Sequence, residues 1–429
     1  MKKLSIALMV SMFIASTTFS QTLEKCGTMH NHKKMLEDNP NLSVNRLQVE
    51  QAAKNWLNNH STAKKTVATI PVVFHVVYNP SIPAQNVPDS IIYSQLQVMN
   101  EDYRRTNPDT VNTRAEFDSL AADVEIQFCL ANVDPLGNFT TGINRVTTTA
   151  NDFSFSPFDN KVKSDTTGGV NPWPASDYLN IWVCDMYFNG SPLVLGYAQF
   201  PGDNPLTDGL VLTYQHTGYR PWDAAADPAN LGRTASHEIG HYFGLRHIWG
   251  DGDCDSTDYV YDTPNAAAAS QQICTLTNNT CDDALEPFWN GYDPPDMLEN
   301  YMDYSTDACM NMFTKGQKDR MWSFLNTARV SLLSSNKCSG TAINEILPSA
   351  SLIVYPNPAS NGITLEWPGE YNFERLEVLD VVGKVMVTKN ISSVYAKYQL
   401  NTTNLTNGIY FVRLINGTKA TIKKIVISK

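Results

Sequence analysis

The sequence predicts an α/β or α+β domain followed by a small all-β sandwich, and three observations lead there. A run of β-branched and aromatic residues from Ile70 to Tyr78 marks a buried strand. Helical spacing returns behind it, with further apolar strands after that. Beyond residue 348 the chain breaks into short alternating strands separated by turn residues. With 429 residues and 42% hydrophobic content, the chain can bury more than one core.

Taken in order, Met1-Lys2-Lys3, the apolar stretch Leu4 to Ala15 and the small residues around Ser16 to Ser20 read as a signal peptide over 1–20, cut near Ser20/Gln21. Its apolar run is shorter than the ~20 residues that a bilayer span needs. No other stretch qualifies, so no membrane span is expected in the mature chain. Residues 21–65 are polar, and Leu47 to Leu57 has a helical composition without a core pattern, which suits a pro-segment.

The main domain is expected over 66–340. Behind the first strand, Pro88-Asp89-Ser90 opens a helix from Ile91 to Arg104, where Ile92, Leu96, Met99 and Tyr103 recur at helical spacing. Strands follow at Val124 to Leu130, Leu179 to Val183, Val194 to Phe200 and Leu210 to Tyr214. Pro228 to Leu245 reads as one long helix and Thr314 to Leu325 as another. This order suggests a mostly exposed helix layer. A linker is expected over 341–348. The tail, 349–429, carries strands at Gly362 to Trp367, Leu376 to Leu379, Lys384 to Thr388 and Ile409 to Leu414, a sandwich without a catalytic role.

A formal net charge of -11 and a pI near 5.2 argue against nucleic acid as a partner, since neutralising phosphates takes clustered Lys and Arg. Cationic substrates are easier to accommodate. Eight cysteines in an exported chain suggest disulfides, and Cys254, Cys274, Cys281 and Cys309 crowd into one segment. Their count does not give the connectivity. Zinc–thiolate binding by these four is disfavoured because two close C-x-x-C pairs are missing.

The chemistry is concentrated in His237-Glu238-Ile239-Gly240-His241. Two imidazoles four residues apart on a helix share one face and can grip one ion, with Glu238 beside it. Gly244 tolerates the positive φ that ends a helix, and the returning chain delivers His247 as a third ligand. Three imidazoles leave a position for water, which suits zinc. Glu238 would take a proton from that water as it attacks a carbonyl carbon and deliver it to the leaving amine. The reaction implied is peptide-bond hydrolysis. Chance would give the five-residue motif in roughly one such chain in a hundred, and Gly244 with His247 lowers this to about one in a hundred thousand. Downstream, Asn300-Tyr301-Met302-Asp303-Tyr304 offers a methionine to floor the site and a tyrosine to reach it.

The run from His237 to His247 with the Met302 turn resembles a metzincin metallopeptidase, whose fold has a twisted mixed sheet and a zinc-binding active-site helix. Cys254 to Pro264 and Asn300 to Phe313 narrow the resemblance to the pappalysin family, in particular short microbial members of the ulilysin type, over Ile70 to Cys338. The resemblance implies Tyr304 as the residue stabilising the oxyanion, disulfides Cys254–Cys281 and Cys274–Cys309, and structural calcium held by Asp258, the carbonyl of Tyr261, and Thr263. Oxygen donors of these kinds are what a hard cation takes. Asp307 matches the floor of the S1′ pocket, implying cleavage before Arg and less well before Lys. Cys26-Gly27-Thr28 is similar to cysteine-switch motifs, in which a thiolate fills the open zinc position; pairing of Cys26 with Cys129, Cys184 or Cys338 is the alternative. Activation would need a cut near Lys64-Lys65.

In the tail, Tyr355 to Gly362, Asp380 to Lys384, Gly408-Ile409-Tyr410 and Lys423 to Lys429 resemble the C-terminal sorting domain of the type IX secretion system. That implies export through periplasm and outer membrane, with the secretion machinery and protein or peptide substrates as partners. A carbohydrate-binding or adhesive sandwich is the alternative for the tail. For the whole chain the competing classes are a binding protein with a structural zinc, which would close the fourth position and have no use for Glu238, and a metal-dependent amidase.

Overall fold

The first described element is a three-residue strand, β1 (Glu24–Cys26), which no apolar pattern announces, followed by helices α1 (Thr28–Asp38) and α2 (Asn41–Asn59). The computed structural model describes residues 24–60, 66–153, 160–188, 191–192, 194–221, 228–271, 274–338, 352–368, 372–380, 385–391, 396–416 and 419–429. The signal peptide, Lys64-Lys65 and the linker lie outside the described residues.

Strand β2 (Ala68–Tyr78) is the axis of the main sheet. Ile70, Val72, Phe74 and Val76 enter one apolar core, while Val77 enters a second and Val73 a third. This is the two-residue period of a strand buried on both faces. The chain continues through α3 (Asp89–Tyr103), the short α4 (Ala115–Asp118), β3 (Ile126–Leu130), β4 (Ile143–Thr147), β5 (Leu179–Cys184), a small hairpin of β6 (Tyr187–Phe188) and β7 (Ser191–Pro192), then β8 (Val194–Ala198) and β9 (Leu210–Thr213). The sheet order is β1-β8-β9-β5-β2-β3, with β4 also on β2. Pairing is parallel throughout except between β8 and β9, so the sheet is mixed. β4 is absent from the sequence reading because Ile143-Asn144-Arg145-Val146-Thr147 is only half-buried and carries no apolar run.

Helix α3 begins at Asp89 rather than Ile91, with no side-chain cap. The Asp89 carboxylate pairs with Arg145 on β4 instead. Two further helices, α5 (Arg233–Tyr242) and α6 (Lys315–Leu325), complete the domain. Thr314 and Gln317 close a reciprocal capping box that fixes the start of α6. The expected exposed helix layer is corrected: every residue of α5 is buried, as is most of α6. Helix α2 packs on α6, and α1 lies against β8, so the residues read as a pro-segment cover what an amphipathic face would otherwise show to water.

The tail forms two sheets, β10 (Ile353–Tyr355), β11 (Gly362–Glu366) and β14 (Lys397–Asn401) in one, and β12 (Arg375–Leu379), β13 (Val385–Asn390), β15 (Gly408–Asn416) and β16 (Lys419–Ile427) in the other. Ile363, Leu365 and Leu400 from the first meet Leu376, Val378, Val412 and Ile425 from the second in a separate apolar core, the packing of a sandwich. Disulfides join Cys254 to Cys281, Cys274 to Cys309, and Cys129 on β3 to Cys338. Cys26 and Cys184 are free and buried.

Candidate active site

Helix α5 is shorter than the Pro228 to Leu245 stretch because its ends are set by tertiary contacts. Gly232 enters it with φ +83°, and the amides of Leu231 and Arg233 donate to Asp307 Oδ2 at 3.0 and 3.1 Å. At the other end Gly244 takes φ +90°, and a Cβ there would lie 2.2 Å from Phe324. The chain therefore turns sharply toward His247 where another side chain would clash. Gly240 is required for a different reason, since a Cβ on it would stand 2.4 Å from the sulfur of Met302. Met302 thus lies directly beneath the helix turn that carries the first two histidines.

The three imidazoles converge. His241 Nε2 is 3.1 Å from both His237 Nε2 and His247 Nε2. Each Nδ1 is turned outward: that of His237 to the Tyr301 carbonyl at 2.7 Å, that of His241 to the Leu245 carbonyl at 2.8 Å, and that of His247 to Asp251 Oδ1. With the protons held on Nδ1, three lone pairs face one point. That arrangement repels itself unless a cation sits among them. The separation is close to the about 3.3 Å edge of a tetrahedron with metal–nitrogen bonds near 2.0 Å, so the donors fit zinc. Burial, then the neighbouring imidazoles, hold His237 and His241 well below the usual histidine range, which keeps them neutral ligands.

Cys26 completes the cluster, its ligand atom and those of the three histidines all lying within 4.8 Å of one another. Among the described residues this is the one group of three or more His, Cys, Asp or Glu so disposed. Cys26 pairs with no other cysteine, and its sulfur accepts the Thr28 amide at 3.3 Å. Glu238 is wholly buried; burial pushes its carboxyl up to about 8, against hydrogen bonds from Thr28 and Cys26. Tyr304 packs its ring on His247 and donates from its hydroxyl to the Cys26 carbonyl at 3.1 Å.

Asp307 is also brought to this cleft. Its Oδ1 faces Lys25 Nζ at 3.4 Å, and that ammonium reaches the Ser305 carbonyl at 2.9 Å and Met310 Sδ at 3.3 Å. Lys25 is 2% exposed, and burial holds its ammonium below the usual lysine range, against the attraction of Asp307.

The candidate calcium residues are not part of the histidine cluster. Asp258 is buried and accepts Val260 N at 2.9 Å and Thr263 Oγ1 at 2.8 Å, and burial pushes its carboxyl up to about 7. Tyr261 is exposed beside them. Three site residues escaped the sequence reading: Asp251, Lys25 and Trp249, whose ring stacks on His247 at 4.3 Å and 4°. The alternation of apolar and polar residues carries no trace of them, because each acts through a ring or a charge in a loop or a short strand.

Residues 163–326 match the pregnancy-associated plasma protein-A family of peptidase M43, and residues 353–428 match the secretion system C-terminal sorting domain. An extracellular metalloprotease of Pyricularia oryzae is 30% identical over 302 residues, covering 69% of this chain and 87% of that protein. A promirolysin mutant from Tannerella forsythia is similar with a TM-score of 0.60 and 40% identity, over 72% of this chain and 97% of the other. Mature mirolysin of the same organism, in complex with a cleaved peptide, is similar at 43% identity and a TM-score of 0.56, over 64% and 98%.

Proposed function

The chain belongs to the pappalysin family of M43 metalloproteases, a secreted zinc protease with a C-terminal sorting domain, and from that premise we propose an endopeptidase in which Glu238 is the general base. The observation that carries the proposal is the set of three Nε2 atoms facing one point, each Nδ1 tied outward, on the helix that also presents Glu238. Zinc, when bound by His237, His241 and His247, supplies Lewis acidity that makes water nucleophilic near neutral pH and polarises a carbonyl.

The chain supplies the rest. Glu238 takes the proton of the attacking water and returns it to the leaving amine, from a position next to His237 on α5. Tyr304, whose hydroxyl now serves the Cys26 carbonyl, donates instead to the oxygen of the scissile carbonyl once the cleft is cleared. Met302 floors the site. Cys26 is the latency switch, and residues 21–65 are the pro-segment that must leave. The main domain over 66–340, the linker over 341–348 and the sorting domain over 349–429 follow the same reading.

Substrate choice is read from Asp307. The ammonium of Lys25 beside its carboxylate supports a pocket for a basic P1′ side chain, Arg and then Lys. Calcium is assigned to Asp258, Tyr261 and Thr263, since a buried carboxylate of raised pKa gains from a cation. Adding calcium should raise the melting temperature of the full chain but not that of Asp258→Asn; equal melting curves would remove the assignment.

The test of the peptidase reading is a mixed peptide library incubated with the processed protein, with Glu238→Ala and with a zinc chelator, new N-termini being read by mass spectrometry. Termini beginning with Arg or Lys that vanish in both controls are expected. Cuts of another preference would overturn the pocket alone, and no cuts at all would overturn the peptidase.

A further inference from the structure

The thiol of Cys26 is one of several groups that residues 24–59 insert into the cleft. Thr28 is fully buried; its Oγ1 lies 2.8 Å from Glu238 Oε2 and 2.8 Å from the Ala198 amide. An amide can only donate, so the hydroxyl accepts from Ala198 and its single proton is directed at the Glu238 carboxylate. Gly27 N donates to the Gly196 carbonyl at 2.9 Å, and Asn31 Nδ2 to the Ala198 carbonyl at 3.1 Å. Three polar groups on the edge of β8 are thereby taken, an edge on which an extended peptide would pair. Farther out, Arg320 pairs with Glu50 at 2.9 and 3.1 Å and also donates to the Gly244 carbonyl at 2.9 Å, at the turn before His247. None of these contacts passes through the metal.

We infer that Thr28 is a metal-independent lock on the base, and that the cleft and the face around Arg320 form a receptor for residues 24–59 after they are cut from the chain. The partner is a segment of this chain, held by the Thr28–Glu238 hydrogen bond, an ion pair and strand addition, with zinc–thiolate binding as one further contact. This inference rests on residues 21–65 being a pro-segment. Inhibition would then outlast the cut, until the released piece is itself degraded or diluted.

The experiment uses the full chain, nicked at Lys64-Lys65 without separating the pieces, and measures their dissociation by gel filtration and fluorescence anisotropy with zinc and after chelation. The expected result is that the wild-type pieces stay together without zinc. Thr28→Val should raise their dissociation constant by about five- to tenfold in both conditions, as the loss of a buried hydrogen bond predicts. Thr28→Ser should restore it, and Cys26→Ala should weaken binding with zinc alone. Release of the wild-type piece on chelation, or a Thr28→Val constant equal to the wild type without zinc, would overturn the inference. Pieces that separate even with zinc present would instead overturn the pro-segment reading beneath it.

Discussion

The carboxylate of Asp251 meets Nδ1 of His247 from a residue whose own backbone is left-handed, at φ +62°. Partners of this kind orient a metal ligand and fix its tautomer, and their loss costs about 10–100-fold in metal affinity. Asp251→Asn, which tolerates the backbone angle, should weaken zinc binding several-fold by removing the charge, and Asp251→Ala by about tenfold or more. Competition with a fluorescent chelator checks both, and unchanged affinity in the alanine variant would contradict an orienting role.

Asp307 divides its oxygens, Oδ2 closing the start of α5 and Oδ1 facing Lys25. Asp307→Asn keeps an acceptor for the helix and removes the charge. It should cut kcat/KM for substrates with a basic P1′ by about 10–100-fold, while those with apolar P1′ change little. Asp307→Ala should in addition lower the melting temperature, because the amides of Leu231 and Arg233 lose their acceptor.

Gly240→Ala tests the contact under the zinc helix. Alanine gains about 1 kcal/mol of helix propensity over glycine, yet the new Cβ would meet Met302 at 2.4 Å. Overpacking of this kind costs about 1–3 kcal/mol, so net destabilisation is expected, with a fall in zinc affinity. Combining it with Met302→Ala should recover part of the loss in a double-mutant cycle; additive effects would show that the two residues do not share the contact.

Asp102 lies beneath α5, accepting Ser236 Oγ at 2.5 Å and Tyr301 Oη at 2.8 Å, with Arg233 at 3.2 Å. Burial pushes it up to about 6 from 3.8 despite the guanidinium. The folded chain therefore retains a proton that the unfolded chain has released over this interval. The group's contribution to stability is fully present below about pH 4 and is lost as pH rises through about 6. Denaturant unfolding at points across that window should show a downward slope that is smaller in Asp102→Asn, and identical slopes would exclude Asp102 as its source.

The parts of this protein legible in the sequence are those where chemistry or burial is local in the chain. The HExxH spacing places two ligands on one helix face without reference to anything else, and the β-branched runs of β2 and β5 announce themselves because both faces are buried. The opposite holds for β1 and α1. Their buried positions are Lys25, Cys26, Thr28, Asn31 and Met35, mostly polar residues whose partners beyond their own turn lie 129 or more positions away, so no apolar period marks them. Helix α5 is shorter than its composition suggests for a related reason: residues 228 to 232 suit a helix, and the left-handed Gly232 together with Asp307, far along the chain, marks where it starts.

The Cys129–Cys338 bond has a mechanical consequence for the tail. Asn132 bonds both Lys337 and Cys338 through their carbonyls, at 3.0 and 3.1 Å, so the last described stretch of the catalytic fold is moored to the end of β3 by a covalent link and two hydrogen bonds. A pull beyond residue 338 meets that mooring first. A force on the sorting tail therefore enters the main domain at the end of β3 as well as along the backbone, and β3 carries none of the three histidines.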